Sequence, residues 1–256
     1  MLWYKSWLDT RWQFLIGLAL LMLSACGSVL AYPRVAQLMP MADSLNPGGG
    51  EIGRQIREGI ELARTYRGYI WGQTFRQNLL QMITLLAALL GSGSPLLQGS
   101  KGASMFTLSL PVSRQRLLGV RAAAGLSELL ALAVAPAVLL TLLSMAIGQS
   151  YSLVDAIVHA TCLFFAGTVF FSLAFLLSTQ FSDLWRPWLL ASGIALVVGL
   201  CEMVVPSLAR YGIFGVMSGE TYFRSGGLPW LGLFASAAAS TAMLYVAAQN
   251  VGRQDF

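Results

Sequence analysis

Gln98-Gly99-Ser100-Lys101-Gly102-Ala103-Ser104-Met105-Phe106-Thr107-Leu108-Ser109-Leu110-Pro111-Val112-Ser113-Arg114-Gln115-Arg116 interrupts a chain that is otherwise mostly apolar. With Arg121 just beyond, the stretch holds Lys101, Arg114, Arg116 and Arg121 and no acid. Apolar runs flank it on both sides. A dense basic cluster beside membrane spans marks the cytoplasmic face. The stretch therefore orients the spans, and it is where a soluble partner would grip.

The rest of the composition agrees with spans on either side. The 256 residues are 56% hydrophobic and only 11% charged, with a mean hydropathy of +0.68. A soluble domain carries about 25% charged residues, so this chain lacks the polar surface that water would require. It reads as an all-α integral membrane protein whose solvent is the bilayer. The net charge of +5 fits lipid headgroups at the span ends. It does not suggest nucleic acid, because no basic patch is interleaved with aromatics on a soluble element. Cys26, Cys162 and Cys201 all sit in apolar stretches without motif spacing, which points to small hydrophobic filler rather than a disulfide or metal site. Residues 15–23 are apolar enough for a signal peptide, but Trp3, Trp7, Asp9 and Trp12 make a poor basic lead, so the first segment is expected to be retained.

Hydropathy divides the chain, as one transmembrane domain over residues 1–256, into six expected spans: 13–32, 69–97, 117–148, 155–179, 188–205 and 230–248. Each is near or above the roughly 20 residues that cross the hydrocarbon. Residues 1–11 read as an interfacial amphipathic helix with Trp3 and Trp7 at headgroup level. Pro33 is expected to end the first span. Residues 33–68 form an outer segment that begins as loop, with Pro33, Pro40, Pro47 and three glycines, and then becomes an amphipathic helix from 51 to 67. In that helix Arg54 with Glu58 and Arg57 with Glu61 stand four apart. Residues 98–116 form the cytoplasmic loop, and 206–229 a second irregular outer segment. An even number of spans puts both termini on one side. The basic loop makes that side the cytoplasm, and the expected location is the inner, cytoplasmic membrane.

Gly102, Phe106 and then Leu108-Ser109-Leu110-Pro111-Val112-Ser113-Arg114 resemble the signature loop of ABC-2 type transporter permeases, the membrane subunits of a class of ABC exporters. The amphipathic start, the six spans, the outer segment and the broken stretch before the last span are similar to that family as well. So is the ending Asn250-Val251-Gly252-Arg253-Gln254-Asp255-Phe256. The family pattern has an acid near the start of the loop, where this chain has Gln98. The resemblance implies a coupling helix seated in a groove of a cytosolic ABC ATPase, and a second permease chain, identical or related. Lys101, Gly102, Met105, Phe106, Leu108, Leu110, Pro111, Arg114 and Arg116 would form the contact. The residues suit such docking: Met105, Phe106 and Leu110 supply an apolar face, and Pro111 stops the helix at Leu110. The sequence contains no G-x-x-x-x-G-K-[ST] motif, which a nucleotide-binding loop would need. The chain is therefore expected to be no enzyme and to hold no cofactor, with ATP and Mg²⁺ bound by the partner.

Two acids inside expected spans form the candidate intramembrane polar site, Glu128 in the third and Glu202 near the outer end of the fifth. An acid at a helix centre costs about 2.5–3.5 kcal/mol on insertion scales, so Glu128 is expected to face the bundle, and Glu202 to reach outward. His159, the sole histidine, reads as a polar rim residue. Two other functions remain open at this stage: a membrane scaffold or sensor without transport, and an intramembrane serine protease. The protease needs Ser and His at one depth, whereas Ser92 and Ser94 are expected at the opposite face from His159, about 30 Å away.

Overall fold

The structure is a computed structural model that describes residues 2–44, 50–93, 114–181, 183–205, 212–225 and 227–253. Among these residues there are helices and no strand. Five helices are long and apolar enough to cross a membrane: α1 (Leu2–Ser44), α5 (Arg114–Ala146), α6 (Leu153–Ser178), α7 (Trp185–Val204) and α10 (Trp230–Arg253). Shorter elements are α2 (Glu51–Ala63), α3 (Tyr66–Tyr69), a π-helix (Ile70–Leu79), α4 (Leu80–Ser92), α8 (Ile213–Ser218) and α9 (Glu220–Ser225).

The centre of the bundle is α6, which packs against α4, α5, α7, α8 and α10. Small residues set how closely those neighbours approach. Gly91 of α4 lies against the Phe171 carbonyl of α6, and a Cβ at Gly125 of α5 would sit 2.5 Å from the Phe171 ring. Thr168 and Ser240 join α6 to α10 through a 2.8 Å hydroxyl contact. Close packing through small residues and interhelical hydroxyl bonds is how helices associate where burial from water gives no drive. The outward faces of α1, α7 and α10 carry exposed Leu20, Leu23, Leu189, Leu196, Leu231 and Phe234.

The segment expected as the second span is a composite, with pieces of 4, 10 and 13 residues in α3, the π-helix and α4. Trp71, Phe75, Leu79, Ile83 and Ala87 are all fully buried and recur every four residues. An α-helix turns every 3.6 residues, so a strict four-residue repeat drifts around it. The wider i→i+5 turn holds the first members of that series on the buried side.

Three expected boundaries are corrected. Pro33 does not end the first span, since α1 continues through Pro33 and Pro40 to Ser44. A proline inside a helix costs about 3 kcal/mol, and packing around it offsets that cost: Tyr32 meets the rings of Tyr66 and Tyr69 at 4.7 and 5.3 Å, and Val35 packs against the core. Nor is there a separate interfacial helix at residues 1–11, because the same helix runs from Leu2 without a break. Trp3 and Trp7 are exposed, whereas Ser6 and Thr10 are buried. The outer helix is shorter than expected and ends at Ala63. All three cysteines carry free thiols.

Candidate functional site: a buried polar clamp at the start of α5

Of the expected coupling residues, Lys101, Gly102, Met105, Phe106, Leu108, Leu110 and Pro111 lie outside the described residues. Arg114 opens α5, and Arg116 is exposed on its first turn. The described structure becomes informative two turns further on. Arg121 and Glu128 stand on α5, seven residues apart, and both are buried, with 6% and 5% of their surface exposed. Seven residues are close to two helical turns, so both side chains leave the helix on the side that faces α1.

There α1 presents its polar stripe. Thr10 donates its hydroxyl to Glu128 Oε1 at 2.6 Å. Arg121 Nη1 donates to the Ser6 carbonyl at 3.1 Å and lies 3.5 Å from the Ser6 hydroxyl. Gly93, the cap that ends α4, comes against the same guanidinium: a Cβ there would be 2.5 Å from Arg121 Nη2. Three chain segments thus converge on one side chain: the start of α1, the end of α4 and the start of α5. The last two are the segments between which residues 98–116 run. Buried ions demand such partners. Glu128 Oε2 has no hydrogen-bond partner among the described residues. Sequence reading found Glu128, counted Arg121 with the basic cytoplasmic cluster when it is in fact buried in the bundle, and missed Ser6 and Thr10. Their signal was the Ser6/Thr10 spacing of four opposite the Arg121/Glu128 spacing of seven, which marks two polar stripes on neighbouring helices.

Glu128 and Glu202 do not share a site. Glu202 lies on α7 and turns to the N-terminus of α8, where its carboxylate accepts from the Phe214 amide at 3.2 Å. It acts as a cap, satisfying amides that a helix start leaves open and favoured there by the helix dipole. Gly212 lies in contact with this carboxylate, leaving no space for a Cβ.

A second polar cluster closes the opposite end of α5, and sequence reading missed most of it. Asp155, at the start of α6, accepts from Arg67 Nε at 2.7 Å and Nη2 at 3.3 Å, and from the Tyr222 hydroxyl of α9 at 2.8 Å. That hydrogen bond raises the Tyr222 phenol above its usual value. Burial, reinforced by the Asp155 charge, does the same to Tyr151. Phe223 stacks on Trp71 at 4.2 Å, with the Arg67 guanidinium 5.3 Å over its ring. Arg224 reaches Glu58 of α2 at 2.6 Å and Glu220 at 2.7 Å, and Arg76 reaches Glu58 at 3.4 Å. Partial burial works against the Glu58 charge, but the Arg224 hydrogen bond and the charges of Arg76 and Arg224 hold its carboxyl below the ordinary value. Three consecutive residues of α9 are therefore each fixed to a different element.

His159 is corrected from a rim residue to a core one, with 1% exposed. It packs against Phe75 at 4.7 Å and Tyr222 at 5.7 Å. Among the described residues no group of three or more His, Cys, Asp or Glu could hold a metal ion. Comparison with protein-family models, with curated proteins and with solved structures finds no match for this chain.

Proposed function

We propose that this chain is the permease subunit of an ABC-2 type exporter, with six spans, both termini in the cytoplasm and ATP hydrolysis in a partner. The observation that carries the reading is the sequence Leu108-Ser109-Leu110-Pro111-Val112-Ser113-Arg114, placed between the end of α4 and the start of α5. The five long apolar helices support a membrane location, and the composite segment Tyr66–Ser92 is the sixth span. The loop would dock on a cytosolic ABC ATPase that binds ATP and Mg²⁺, and a second permease chain would complete the translocation path.

The polar clamp gives this reading a mechanical route. A displacement of the loop acts on the end of α4 and on the start of α5. Arg121 of α5, which lies against Gly93 at the end of α4, bonds to the Ser6 carbonyl of α1, and Thr10 bonds α1 to Glu128. A rigid buried tie carries a small shift at one end into movement of whole helices, since packed elements move as bodies. Arg121 is thus a positioning residue for α1, and Glu128 anchors the tie.

The test is co-purification from the native cell in mild detergent. The wild-type chain is expected to bring with it an ATP-hydrolysing subunit, and Phe106→Asp is expected to lose that subunit while the chain remains in the membrane. An ATPase that never accompanies the wild-type chain, or that remains bound to Phe106→Asp and Leu110→Asp alike, contradicts the proposal.

A further inference from the structure

We propose that Gln73, Gln77 and Gln81 line a water-filled vestibule in the outer half of the translocation path, and that its cargo is uncharged and hydrogen-bonding. The inference rests on the reading of Tyr66–Ser92 as a span beside a second permease chain, but it needs no particular energy source.

The three glutamines form one stripe. Trp71, Phe75, Leu79 and Ile83 recur every four residues and are fully buried. Gln73, Gln77 and Gln81 recur at the same interval, two residues further on, and all three are exposed. The wide turn of the π-helix that keeps Trp71, Phe75 and Leu79 inward therefore holds Gln73 and Gln77 on the opposite side. No hydrogen bond joins these carboxamides to another described residue.

Contacts with α6 fix their depth. Phe75 packs on His159 with ring centroids 4.7 Å apart, and Ile83 Cγ2 lies 3.3 Å from where a Cβ on Gly167 would stand. At about 1.5 Å per residue, His159 and Gly167 are about 9 and 21 Å along α6 from Leu153, its outer end in this reading. Gln77 and Gln81 fall between those levels, within a hydrocarbon layer about 30 Å thick.

The faces that suit lipid look different. There α7 and α10 expose Leu189, Leu196 and Phe234, whereas this face offers a donor and an acceptor at each turn. Hydrocarbon satisfies neither, and such a group is tolerated at that depth where it borders protein or a water-filled cavity. The stripe starts beside the exposed Arg76–Glu58 pair, 3.4 Å apart, and runs inward without a break, so water can follow it from the outer surface. It stops near mid-membrane. One turn beyond Gln81 it becomes Leu85, whose carbonyl accepts from Trp188 Nε1 of α7 at 3.3 Å. On the other flank a Cβ at Gly17 of α1 would stand 2.8 Å from Leu86. A polar wall open outward and shut at the middle is a vestibule rather than a continuous pore. Its carboxamides carry no charge, and Glu58 offsets Arg76 at its mouth, which suits uncharged cargo with hydroxyl or amide groups.

The experiment uses membranes of the producing cell, opened by freeze–thaw so that reagent reaches both faces, and a chain whose native cysteines are replaced by serine. A charged, membrane-impermeant methanethiosulfonate is added to single-cysteine variants. Gln77→Cys and Gln81→Cys are expected to react at least about tenfold faster than Leu196→Cys, which is 65% exposed on α7 but faces hydrocarbon. A smaller difference overturns the proposal. So does an unreactive Gln81→Cys that an oxidant links to a second copy, because the stripe would then be a dry contact. Anionic and cationic reagents, each scaled to its rate with a free thiol, are expected to label Gln81→Cys within about threefold of each other. A larger preference for either sign overturns the uncharged wall and cargo. Fast labelling in a chain that brings no ATPase would uphold the vestibule and contradict the energy source, so the two readings fail separately.

Discussion

Replacing Thr10 by valine removes one hydroxyl and leaves the side-chain shape almost unchanged. That hydroxyl donates to Glu128 Oε1 at 2.6 Å in a buried site. Glu128 Oε2 already lacks a partner among the described residues, so the substitution leaves both carboxyl oxygens without one from α1. A hydrogen bond to a charged group contributes about 1.5–3 kcal/mol in water-soluble proteins. Interhelical bonds within bilayers average about 0.6 kcal/mol and reach about 1.7. The Thr10 bond is short and buried and ends on a carboxyl group, which places it at the upper end of the bilayer range. We expect a loss of about 1–2 kcal/mol, a five- to thirtyfold shift in the folded-to-unfolded ratio. The assay is reversible unfolding in mixed detergent–lipid micelles. Thr161→Val serves as a control, because that hydroxyl bonds back to its own helix at Ile157 and its loss is expected to cost under about 0.5 kcal/mol. A cycle with Glu128→Met isolates the pair. Strict additivity in that cycle, or a Thr10→Val effect no larger than the control, would refute the claim that the clamp binds α1 to α5.

Two glycines of similar sequence setting are expected to respond in opposite ways. Gly91→Ala drives a Cβ into the Phe171 carbonyl of α6, a backbone atom that cannot rotate aside, and is expected to destabilise by about 1–3 kcal/mol. Gly27→Ala meets nothing within 4 Å and is expected to stabilise α1 by about 0.5–1 kcal/mol, read in the same unfolding assay. The hold of α2 on α9 is expected to weaken in acid. The folded-state pKa of Glu58 is depressed by Arg224 and Arg76, so its contribution is present above the unfolded value of about 4.3 and is lost as pH falls through the folded one. Hydrogen exchange in α9 is expected to accelerate below about pH 4.5, more weakly in Glu58→Gln. High salt reduces the contrast, because Glu58 is 38% exposed.

Much of the architecture was legible because hydropathy is a local signal. α5, α6, α7 and α10 fall within a few residues of the spans expected at 117–148, 155–179, 188–205 and 230–248. What sequence reading missed depends on partners distant in the chain. Pro33 reads as a stop because proline's cost is local, whereas the Tyr32 contacts that offset it come from Tyr66 and Tyr69. Glu58 reads as an intrahelical partner of Arg54, yet it reaches across to Arg224, 166 residues away. Glu202 reads as an acid turning outward, and it caps α8 because the chain returns after residues 206–211. Ser6 and Thr10 have no signal in residues 1–11 alone, because their partners Arg121 and Glu128 lie more than a hundred residues away. The π-helix had a visible trace, the four-residue repeat from Trp71 to Ala87, which strays from the α-helical period.

On the proposed function, residues 98–116 face the cytoplasm and are gripped there by an ATP-hydrolysing partner. The most direct measurement places one cysteine at Ser104, in a chain whose native cysteines are replaced, and adds a membrane-impermeant thiol reagent. Intact cells are expected to leave it unlabelled. Inside-out vesicles are expected to label it, and more slowly when the partner ATPase is present. Labelling on intact cells would place the loop on the outer face, out of reach of any ATP-hydrolysing partner, and would overturn the proposed function.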